Sequence, residues 1–343
     1  MFNGTVVAKM NAQKQLGLIL DSSLSFKKHL NEKVIKAKKN LGIIKHLSIF
    51  LPRKTLDQMY KALVRSHLDY CDILYHIPSV QTQFGVTLTD LMEKAERIQY
   101  QAALAVTGAW QGSSRSKLYE ELGWESLSER RWCRRILQIH KIVSNKTPSY
   151  LKDKLPRHRR PLYIQNNNNT FHEIRCRSSR YMNSFFPDAI TSWNNVITHF
   201  DNIQSINILK DHILSLIRPK KKYIFGIHDP LGLRYLLQLR VGLSFLRYHK
   251  KCHNFIDTPS DICLCSHGIE DINHFLFSCP FFAALRATLA SSVIEILQKY
   301  NLNHLGNQSH LYLYGHQTIN FADNRKILLS TIKYIKETRR FST

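Results

Sequence analysis

A regular row of apolar residues runs from Leu24 to Phe50 and predicts one long amphipathic helix. These residues recur at every third or fourth position, the spacing that places side chains on one helix face. The row consists of Phe26, Leu30, Val34, Ala37, Leu41, Ile44 and Leu47. The lysines of this segment fall largely outside the row, and Glu32 is its one acid. The sequence therefore predicts a helix with a basic outer face, which in a single helix is most simply a solvated surface.

Basic residues accompany apolar rows in several other segments, so the positive charge is spread along the chain. The chain has 49 Lys and Arg against 25 Asp and Glu, a formal net charge of +24 at pH 7. The other basic clusters lie at residues 130–135, 152–160, 218–222 and 240–251. Repeated basic faces favour a polyanionic partner, because each phosphate contact adds counterion release to the free energy of binding. We expect RNA or DNA; an anionic membrane is the weaker alternative, because no lipidation motif accompanies the charge.

Composition narrows the class of protein. Hydrophobic residues make up 43% of the chain, which is enough for a packed core. No stretch approaches the roughly 18 consecutive apolar residues of a membrane-spanning helix, and the first residues lack the apolar block of a signal peptide. The seven cysteines are an odd number at low density, unlike those of a secreted disulfide scaffold. These features predict a soluble protein of the nucleus or cytoplasm, not secreted and with no membrane partner.

The order of patterns along the chain predicts a mainly α fold. One or two strands are expected in residues 5–20, where Leu16, Leu18 and Leu20 alternate with other residues. Pro52, Gly108 and Pro148 mark the ends of helices. The predicted helices span about 24–50, 54–69, 88–107, 128–145, 185–217, 281–299 and 323–338. Residues 156–170, with two prolines and four consecutive asparagines, are expected to form a linker or an exposed loop.

Four residues near the C-terminus carry the most specific chemical signal. Cys263, Cys265, His274 and Cys279 give the spacing C-x-C-x8-H-x4-C. Three thiolates and one imidazole complete a tetrahedral Zn²⁺ site with no position left for water, so the expected zinc is structural. The alternative is a set of reduced cysteines in an apolar segment, because C-x-C is tighter than the usual spacing.

Neighbouring residues bear on this predicted site. Glu270 and Asp271 are expected to open a short helix that carries His274, and Phe275, Leu276 and Phe277 to supply a small core. The substitute ligands would be Cys252, His253 and His267. The remaining cysteines, Cys71, Cys133 and Cys176, are isolated and are expected to be small buried hydrophobic residues.

Catalytic motifs are absent from the sequence. It contains no glycine-rich phosphate loop, no G-x-S-x-G and no H-E-x-x-H. The segment Phe321-Ala-Asp323-Asn324 has the form of a polymerase F/Y-x-D-D turn with Asn in the last place. Two-metal chemistry needs paired carboxylates on a hairpin tip, whereas a helical pattern follows here. We therefore interpret Asp323 or Asn324 as a helix N-cap.

Several ordered blocks of sequence resemble one protein family. The segment Leu16-Gly-Leu-Ile-Leu-Asp21-Ser-Ser-Leu24-Ser-Phe26 resembles the segment just after the palm of reverse transcriptases from non-LTR retrotransposons, which are LINE-type elements of the jockey and CR1 kind. The resemblance continues through Tyr60-Lys-Ala-Leu63 and Leu122-Gly-Trp124-Glu-Ser126-Leu127, and through Leu239-Arg240-Val-Gly-Leu243-Ser244 to the Cys/His set. Each block is short, but their order covers nearly the whole chain.

This resemblance implies an architecture. It implies the end of a palm in residues 1–23, a helical thumb in 24–155 and a linker with a helical connector in 156–222. A C-terminal zinc-knuckle-like module in 223–343, with flanking helices, would complete the chain. In the family these regions are thought to hold template RNA, primer duplex or target DNA during target-primed reverse transcription.

The resemblance also implies what the chain lacks. The family's catalytic aspartates precede the position of Leu16, so we expect no catalysis by this chain alone. Two alternatives stay open: the chain is a component of an active reverse transcriptase completed by upstream sequence or by a partner chain that supplies the palm, or it is a non-functional remnant of the element.

Individual contact residues follow from charge and helical facing. The residues expected to contact phosphates are Lys28, Lys36, Lys39, Arg131, Arg135, Lys221 and Lys250. The candidates for stacking on bases are Phe275, Phe277, Phe281 and Phe282, for which core packing is the alternative.

Overall fold

The computed structural model describes residues 10–75, 90–156, 170–197, 205–217, 227–302 and 309–341. Within these ranges the chain is mainly helical, and its one sheet has two strands. The predicted mainly α class with a short N-terminal β segment is confirmed. The predicted linker lies largely outside the described residues, as do residues 1–9.

The N-terminal strands form an antiparallel hairpin. Strand β1 (Ala12–Gln15) pairs with β2 (Leu18–Asp21), with Ala12 opposite Asp21. Leu16 and Gly17 connect them with φ angles of 47° and 81°, the positive values that a two-residue hairpin turn requires. Leu16 is therefore an exposed turn residue and does not share the strand alternation predicted for it.

The Asp21 carboxylate connects this hairpin to the first long helix, α1 (Lys27–Leu47). It accepts hydrogen bonds from the hydroxyl and backbone N–H groups of Ser23 and Ser25, and from the N–H of Phe26. These donors, Ser23 first, hold the pKa of Asp21 well below its usual range. The predicted apolar row faces inward, with Leu30, Val34, Ala37, Leu41 and Ile44 buried.

The predicted helices of the N-terminal half are present. Helix α2 (Arg53–Met59) continues through a π-helical stretch (Tyr60–Arg65) and a last turn (Ser66–Leu68). The helices that follow are α3 (Asp72–Tyr75), α4 (Asp90–Thr107), α5 (Arg115–Leu122), α6 (Leu127–Val143) and α7 (Ser149–Lys152). Ser126 and Glu129 form a capping box at the start of α6, where each side chain accepts from the other's backbone N–H.

The C-terminal half continues the helical pattern. Its helices are α8 (Ser179–Met182), α9 (Phe185–Ile197), α10 (Ile206–Ile217), α11 (Pro230–Val241), α12 (Arg247–Cys252), α13 (Ala283–Lys299), α14 (Ser309–Tyr314) and α15 (Phe321–Glu337). A π-helical stretch (His274–Ser278) and a 3₁₀ turn (Pro280–Phe282) precede α13. The helices predicted near 281–299 and 323–338 correspond to α13 and α15.

The chain divides into two compact units, each built from three segments. Unit 1 comprises Met1–Ile43, Met59–Gln101 and Gly123–Lys220, and unit 2 comprises Ile44–Gln58, Ala102–Leu122 and Lys221–Thr343. The division into thumb, connector and C-terminal module remains a prediction.

A core of unit 1 lies between α6, α9 and α10. Ile136 and Ile139 of α6 pack with Trp193 of α9 and Leu209 of α10, all with no exposed area. A second buried contact in this unit stacks the ring of Tyr60 on Trp124 with centroids 4.0 Å apart. The Tyr60 hydroxyl donates to Gln99 over 2.6 Å, so this polar atom keeps a partner inside the core.

The core of unit 2 gathers α11, α13, α14 and α15. Leu236, Val293 and Ile335 belong to one buried cluster, which also contains Phe275 and Leu276 from the segment beside the Cys/His set. The aromatic and aliphatic residues after His274 thus join the core of the whole unit, where a small local core was predicted.

One buried acid pairs with two arginines inside unit 2. Glu121 accepts both Nη1 contacts of Arg240, at 2.6 and 2.7 Å, and lies 3.3 Å from Nη1 of Arg53. Nε of Arg240 donates to the carbonyl of Leu313, and Nη2 of Arg53 donates to that of Leu233. All three charged side chains are buried, so both guanidinium groups depend on the Glu121 carboxylate for a counter-charge.

One described helical stretch, Pro280–Lys299, is long and apolar enough by length and composition to cross a membrane. The sequence analysis looked for about 18 consecutive apolar residues and found none. The mean hydropathy of this stretch is nevertheless high, because its apolar residues outweigh the charged Arg286 and Glu295. Leu289, Val293 and Leu297 of this stretch pack in the core of unit 2.

We predict that Glu121→Gln lowers the free energy of unfolding of unit 2 by about 3–5 kcal/mol, because two buried guanidinium groups lose their counter-charge. Urea unfolding measures this loss. Glu32→Gln is the matched control, since Glu32 forms a surface pair with Lys36 and its loss is expected to cost about 1 kcal/mol or less. Equal losses in the two variants would contradict the prediction.

We predict that His249 makes unit 2 less stable in mild acid. Burial lowers its pKa from 6.5 to about 4; His253 and Lys117 act in the same direction, and Asp271 opposes them. The folded state therefore binds fewer protons than the unfolded state, so this stability is complete above pH 6.5 and is lost as the pH falls towards 4. The loss is at most about 3 kcal/mol. Unfolding curves at pH 7 and 4.5 should differ more for the wild type than for His249→Gln; equal differences would refute the assignment.

Candidate metal centre and basic residues

The first two cysteines of the cluster lie on a tight turn. Ile262 forms an antiparallel bridge with Ile269, and the N–H of Cys263 donates to the carbonyl of Gly268 over 2.8 Å. Ser266 lies between the two bridged residues, Ile262 and Ile269, and its φ of 63° helps to reverse the direction of the chain. The N–H of Ser266 donates to the carbonyl of Cys263 over 2.9 Å, so Cys263 and Cys265 belong to one hydrogen-bonded turn, which keeps their thiols close together.

The other two ligands lie one wide helical turn apart. Asp271 accepts from the N–H of His274 over 2.7 Å, and the N–H of Cys279 donates to the carbonyl of His274 over 2.8 Å. This hydrogen bond spans five residues, as in a π-helix. The x4 spacing between His274 and Cys279 is therefore the spacing that brings their side chains to the same side. The short helix predicted to carry His274 is present in this π-helical form.

The four ligand atoms form one compact cluster. All lie within 4.8 Å of one another, and all four residues are buried. The Sγ atoms of Cys263 and Cys279 are 3.8 Å apart, and Sγ of Cys265 is 3.2 Å from Nε2 of His274. Tetrahedral bonds of about 2.3 Å to sulfur and 2.0–2.1 Å to nitrogen require separations of roughly 3.5–3.8 Å. The cluster could therefore hold a metal ion.

The three thiols of the cluster differ in the direction in which their pKa is shifted. Burial raises the pKa of Cys263 to about 12 and also raises that of Cys279. Burial opposes ionisation of Cys265 as well, but the N–H of His267 and the groups around it lower its pKa to about 6. Three adjacent thiolates repel one another, so a bound dication is the group that would let all three ionise together.

The cluster is anchored to the rest of unit 2 through Glu270. Its carboxylate accepts two hydrogen bonds from Arg340, at 2.6 and 2.7 Å, and one from the N–H of Arg247 at the start of α12. Arg286 of α13 donates to the carbonyl of Cys279. The segment from Cys263 to Cys279 is thus attached to α12 through Arg247 and to α13 through Arg286. These contacts fix the positions of the four side chains, as a structural metal site requires.

The substitute ligands make other contacts. Nδ1 of His267 lies 2.5 Å from the carbonyl of Cys265, and Nε2 of His253 lies 3.2 Å from that of Gly242. Cys252 is exposed. Cys133 is buried as predicted, whereas Cys71 and Cys176 are only partly buried.

Three predicted phosphate contacts lie on the exposed face of α1. Lys28, Lys36 and Lys39 are exposed, opposite the buried apolar row. Lys36 pairs with Glu32 one turn earlier, with Nζ and Oε1 2.6 Å apart. In the part of the chain that the structure describes, Lys28 and Lys39 form no ion pair.

The predicted phosphate contacts of Arg131 and Arg135 require correction, because both side chains are buried inside unit 1. Arg135 pairs with Asp188 of α9 and donates from Nε to the carbonyl of Ile73. The guanidinium of Arg131 lies 5.7 Å from the ring centre of Tyr75. Helix α6 is covered on this side, so neither guanidinium can reach a phosphate in this fold.

The neighbouring arginines of α6 are also engaged. Arg130 reaches Asp69 over 2.8 Å, and Arg134 reaches Asp72 over 3.0 Å. Three of the four arginines in residues 130–135 therefore form ion pairs within unit 1.

The remaining predicted contact residues have mixed outcomes. Lys221 lies outside the described residues. Lys250 is partly buried and pairs with Asp257 over 2.9 Å. Among the candidate stacking residues, Phe275 is buried, Phe277 and Phe282 pack against the core, and Phe281 is exposed.

The polymerase-like segment begins a helix. Phe321 is the first residue of α15, and the N-cap is Asn320, whose side chain accepts from the N–H of Asp323. This corrects the predicted cap at Asp323 or Asn324 by about one turn. The Asp323 carboxylate instead accepts from Lys299 and from the hydroxyl of Tyr300. Asp323 thus links α15 to the end of α13.

An aromatic group that the sequence reasoning missed lies in unit 2. Trp110 contacts the rings of Phe245 and Phe255, at centroid distances of 4.7 and 5.8 Å. More than 130 residues separate Trp110 from its partners, so no local pattern joins them. The sequence analysis had named one residue of this region, Lys250, as a phosphate contact. Lys250 lies between Phe245 and Phe255 in the sequence.

Comparison with protein-family models, with curated proteins and with solved structures finds no match to this chain.

We predict that Cys263→Ser abolishes metal binding. Purified wild type is expected to retain about one Zn²⁺ per chain and the variant to lose it, because a tetrahedral site with one thiolate removed binds far more weakly. Elemental analysis after dialysis against a weak chelator measures the metal content. Cys252→Ser is the control, since Cys252 lies outside the cluster. Equal metal content in Cys263→Ser and wild type would contradict the assignment.

Proposed function

We propose that this chain is a nucleic-acid-binding part of a retrotransposon-type RNA-directed DNA polymerase, with template RNA, primer duplex or target DNA as its partner. The sequence resemblance suggests the family, and the exposed lysine face of α1 carries the proposal. That face meets the first requirement of a phosphate-binding surface, which is cations that solvent can reach.

The geometry of α1 suits contact with a nucleic-acid backbone. Lys28 and Lys39 are eleven residues apart, which is about three turns and roughly 16 Å along the axis on the same side of the helix. Point charges on flexible side chains neutralise phosphates without reading bases. A helix of this kind would grip a duplex by its shape, as expected for A-form-like duplexes whose deep major groove side chains cannot read.

The Cys/His cluster would contribute a structural zinc ion to this function. Cys263, Cys265, Cys279 and His274 would hold the metal, and its closed ligand set leaves no open position for catalysis. Its role would be to stabilise the turn that Glu270 and Arg340 attach to unit 2. We assign no catalytic step to the described residues; a palm in the same or another chain would supply catalysis.

We predict that Lys28→Gln/Lys39→Gln weakens binding to an RNA–DNA duplex and flattens its salt dependence. The slope of log K against log salt is expected to fall in magnitude by about two, because two phosphate contacts are lost. Fluorescence anisotropy at several salt concentrations measures this slope.

The matched control for this experiment is Lys326→Gln/Lys333→Gln on α15, which removes the same charge from two other exposed lysines. It is expected to change the slope much less. Equal effects of the two double variants would show that net charge alone governs binding. A wild-type protein that is folded and loaded with zinc but fails to bind at moderate salt would refute the proposed function.

A further inference from the structure

Three aromatic rings meet at the surface of unit 2. Phe245 lies edge-on to Trp110 and also contacts the buried Phe341, with centroids 5.9 Å apart. Trp110 and Phe255 are tilted towards each other at 39° on the outer side of this group, and both are partly exposed. Trp110 therefore contacts both phenylalanines, and Phe341 connects Phe245 to the core.

The path of the chain before Trp110 is closely constrained. Helix α4 ends at Thr107, and Gly108 follows it with a φ of 70°, which is accessible mainly to glycine. A Cβ atom at this position would lie 2.3 Å from Nε of Arg234, so the side chain of Arg234 from α11 packs against the backbone two residues before Trp110.

One lysine lies beside two of these rings, and a second lies at the end of α11, four residues before Phe245. Nζ of Lys250 lies 5.8 and 5.9 Å from the ring centres of Phe245 and Phe255. Lys117 is exposed, and its Nζ lies 3.5 Å from the carbonyl of Val241. The counter-ion of Lys250 is Asp257, whose side chain is 62% exposed. Because that carboxylate stays well hydrated on its own, an incoming phosphate can replace it at low cost.

We infer that Trp110 and Phe255, with Lys250 beside the rings and Lys117 at the end of α11, form a binding site for an unpaired nucleotide. This inference rests on the proposed function and specifies the form of nucleic acid that unit 2 takes. A base would stack on the exposed ring faces, while its phosphates would contact the two lysines. Exposed rings next to cations are the combination by which proteins hold single strands without reading their sequence.

The test titrates the full-length zinc-loaded chain with a 10-nucleotide oligouridylate and with an abasic oligomer of equal length and charge. Stacking against an indole quenches its fluorescence. Of the other three tryptophans, Trp124 and Trp193 are buried and Trp132 packs partly buried against the core of unit 1, so loss of the quenching in Trp110→Ala is needed to assign the signal to Trp110. We expect the oligouridylate to quench the fluorescence and to bind about 10-fold more tightly than the abasic oligomer, the scale of one stacked base.

Variants separate stacking from charge. Trp110→Ala is expected to remove the quenching and bring the two affinities within about twofold of each other, whereas Trp110→Phe should keep most of the preference for bases. Lys250→Gln should weaken both oligomers alike. Tyr150→Ala is the matched aromatic control, because Tyr150 is 61% exposed in unit 1 and should leave the preference unchanged.

The outcomes also distinguish this inference from the proposed function. Salt-dependent binding with equal affinity for both oligomers would overturn the stacking site and leave the proposed function intact. Failure to bind either oligomer or a duplex would overturn both. Quenching of the same size by poly-glutamate, or by anionic vesicles, would show that the rings contact an acidic peptide or a lipid surface, which would also overturn the nucleotide site.

Discussion

The pairing of buried arginines is the constraint on which the rest of this structure depends. An arginine side chain stays charged in the protein interior, so each buried guanidinium needs an acceptor for its charge. In unit 1 Asp188 serves Arg135, and Asp69 and Asp72 serve the neighbouring arginines of α6. In unit 2 Glu121 serves Arg53 and Arg240 together. These pairs hold elements that are distant in sequence, including α6 with α9 and α5 with α11.

Because several acidic residues pair with internal arginines, fewer of them are left to pair with lysines on the surface. The chain has 25 acidic residues for 49 basic ones, and several of those acids are committed to internal pairs. Lysines on the outer face of α1, such as Lys28 and Lys39, consequently face solvent as cations. The Cys/His cluster follows the same electrostatic rule with opposite sign, because three adjacent thiolates need a cation. Among the described residues Arg131 departs from this rule, because it is buried while its Nε and Nη2 atoms have no hydrogen-bond partner.

The sequence predicted much of the helical framework, because periodicity and caps are local properties. The apolar row of α1 and the end of α4 at Gly108 have their predicted roles, and α6 lies close to the range predicted for it. The four members of the Cys/His set also come together, since short spacings along the chain limit the distances between them. The prediction failed for Arg131 and Arg135. Helical facing shows which residues share a side of α6 but not whether another element covers that side.

The sequence by itself therefore determined the mainly helical class, the basic face of α1 and the identity of the four clustered ligands. All of these depend on residues within about one or two dozen positions of each other. Only the tertiary structure decided which arginines are internal, that Glu270 and Arg340 anchor the cluster, and that Trp110 meets Phe245 and Phe255. The physical reason is that such contacts join residues far apart in the chain. Their formation depends on which helices pack against each other. Periodicity shows which face of a helix is buried, but it does not show which other helix covers that face.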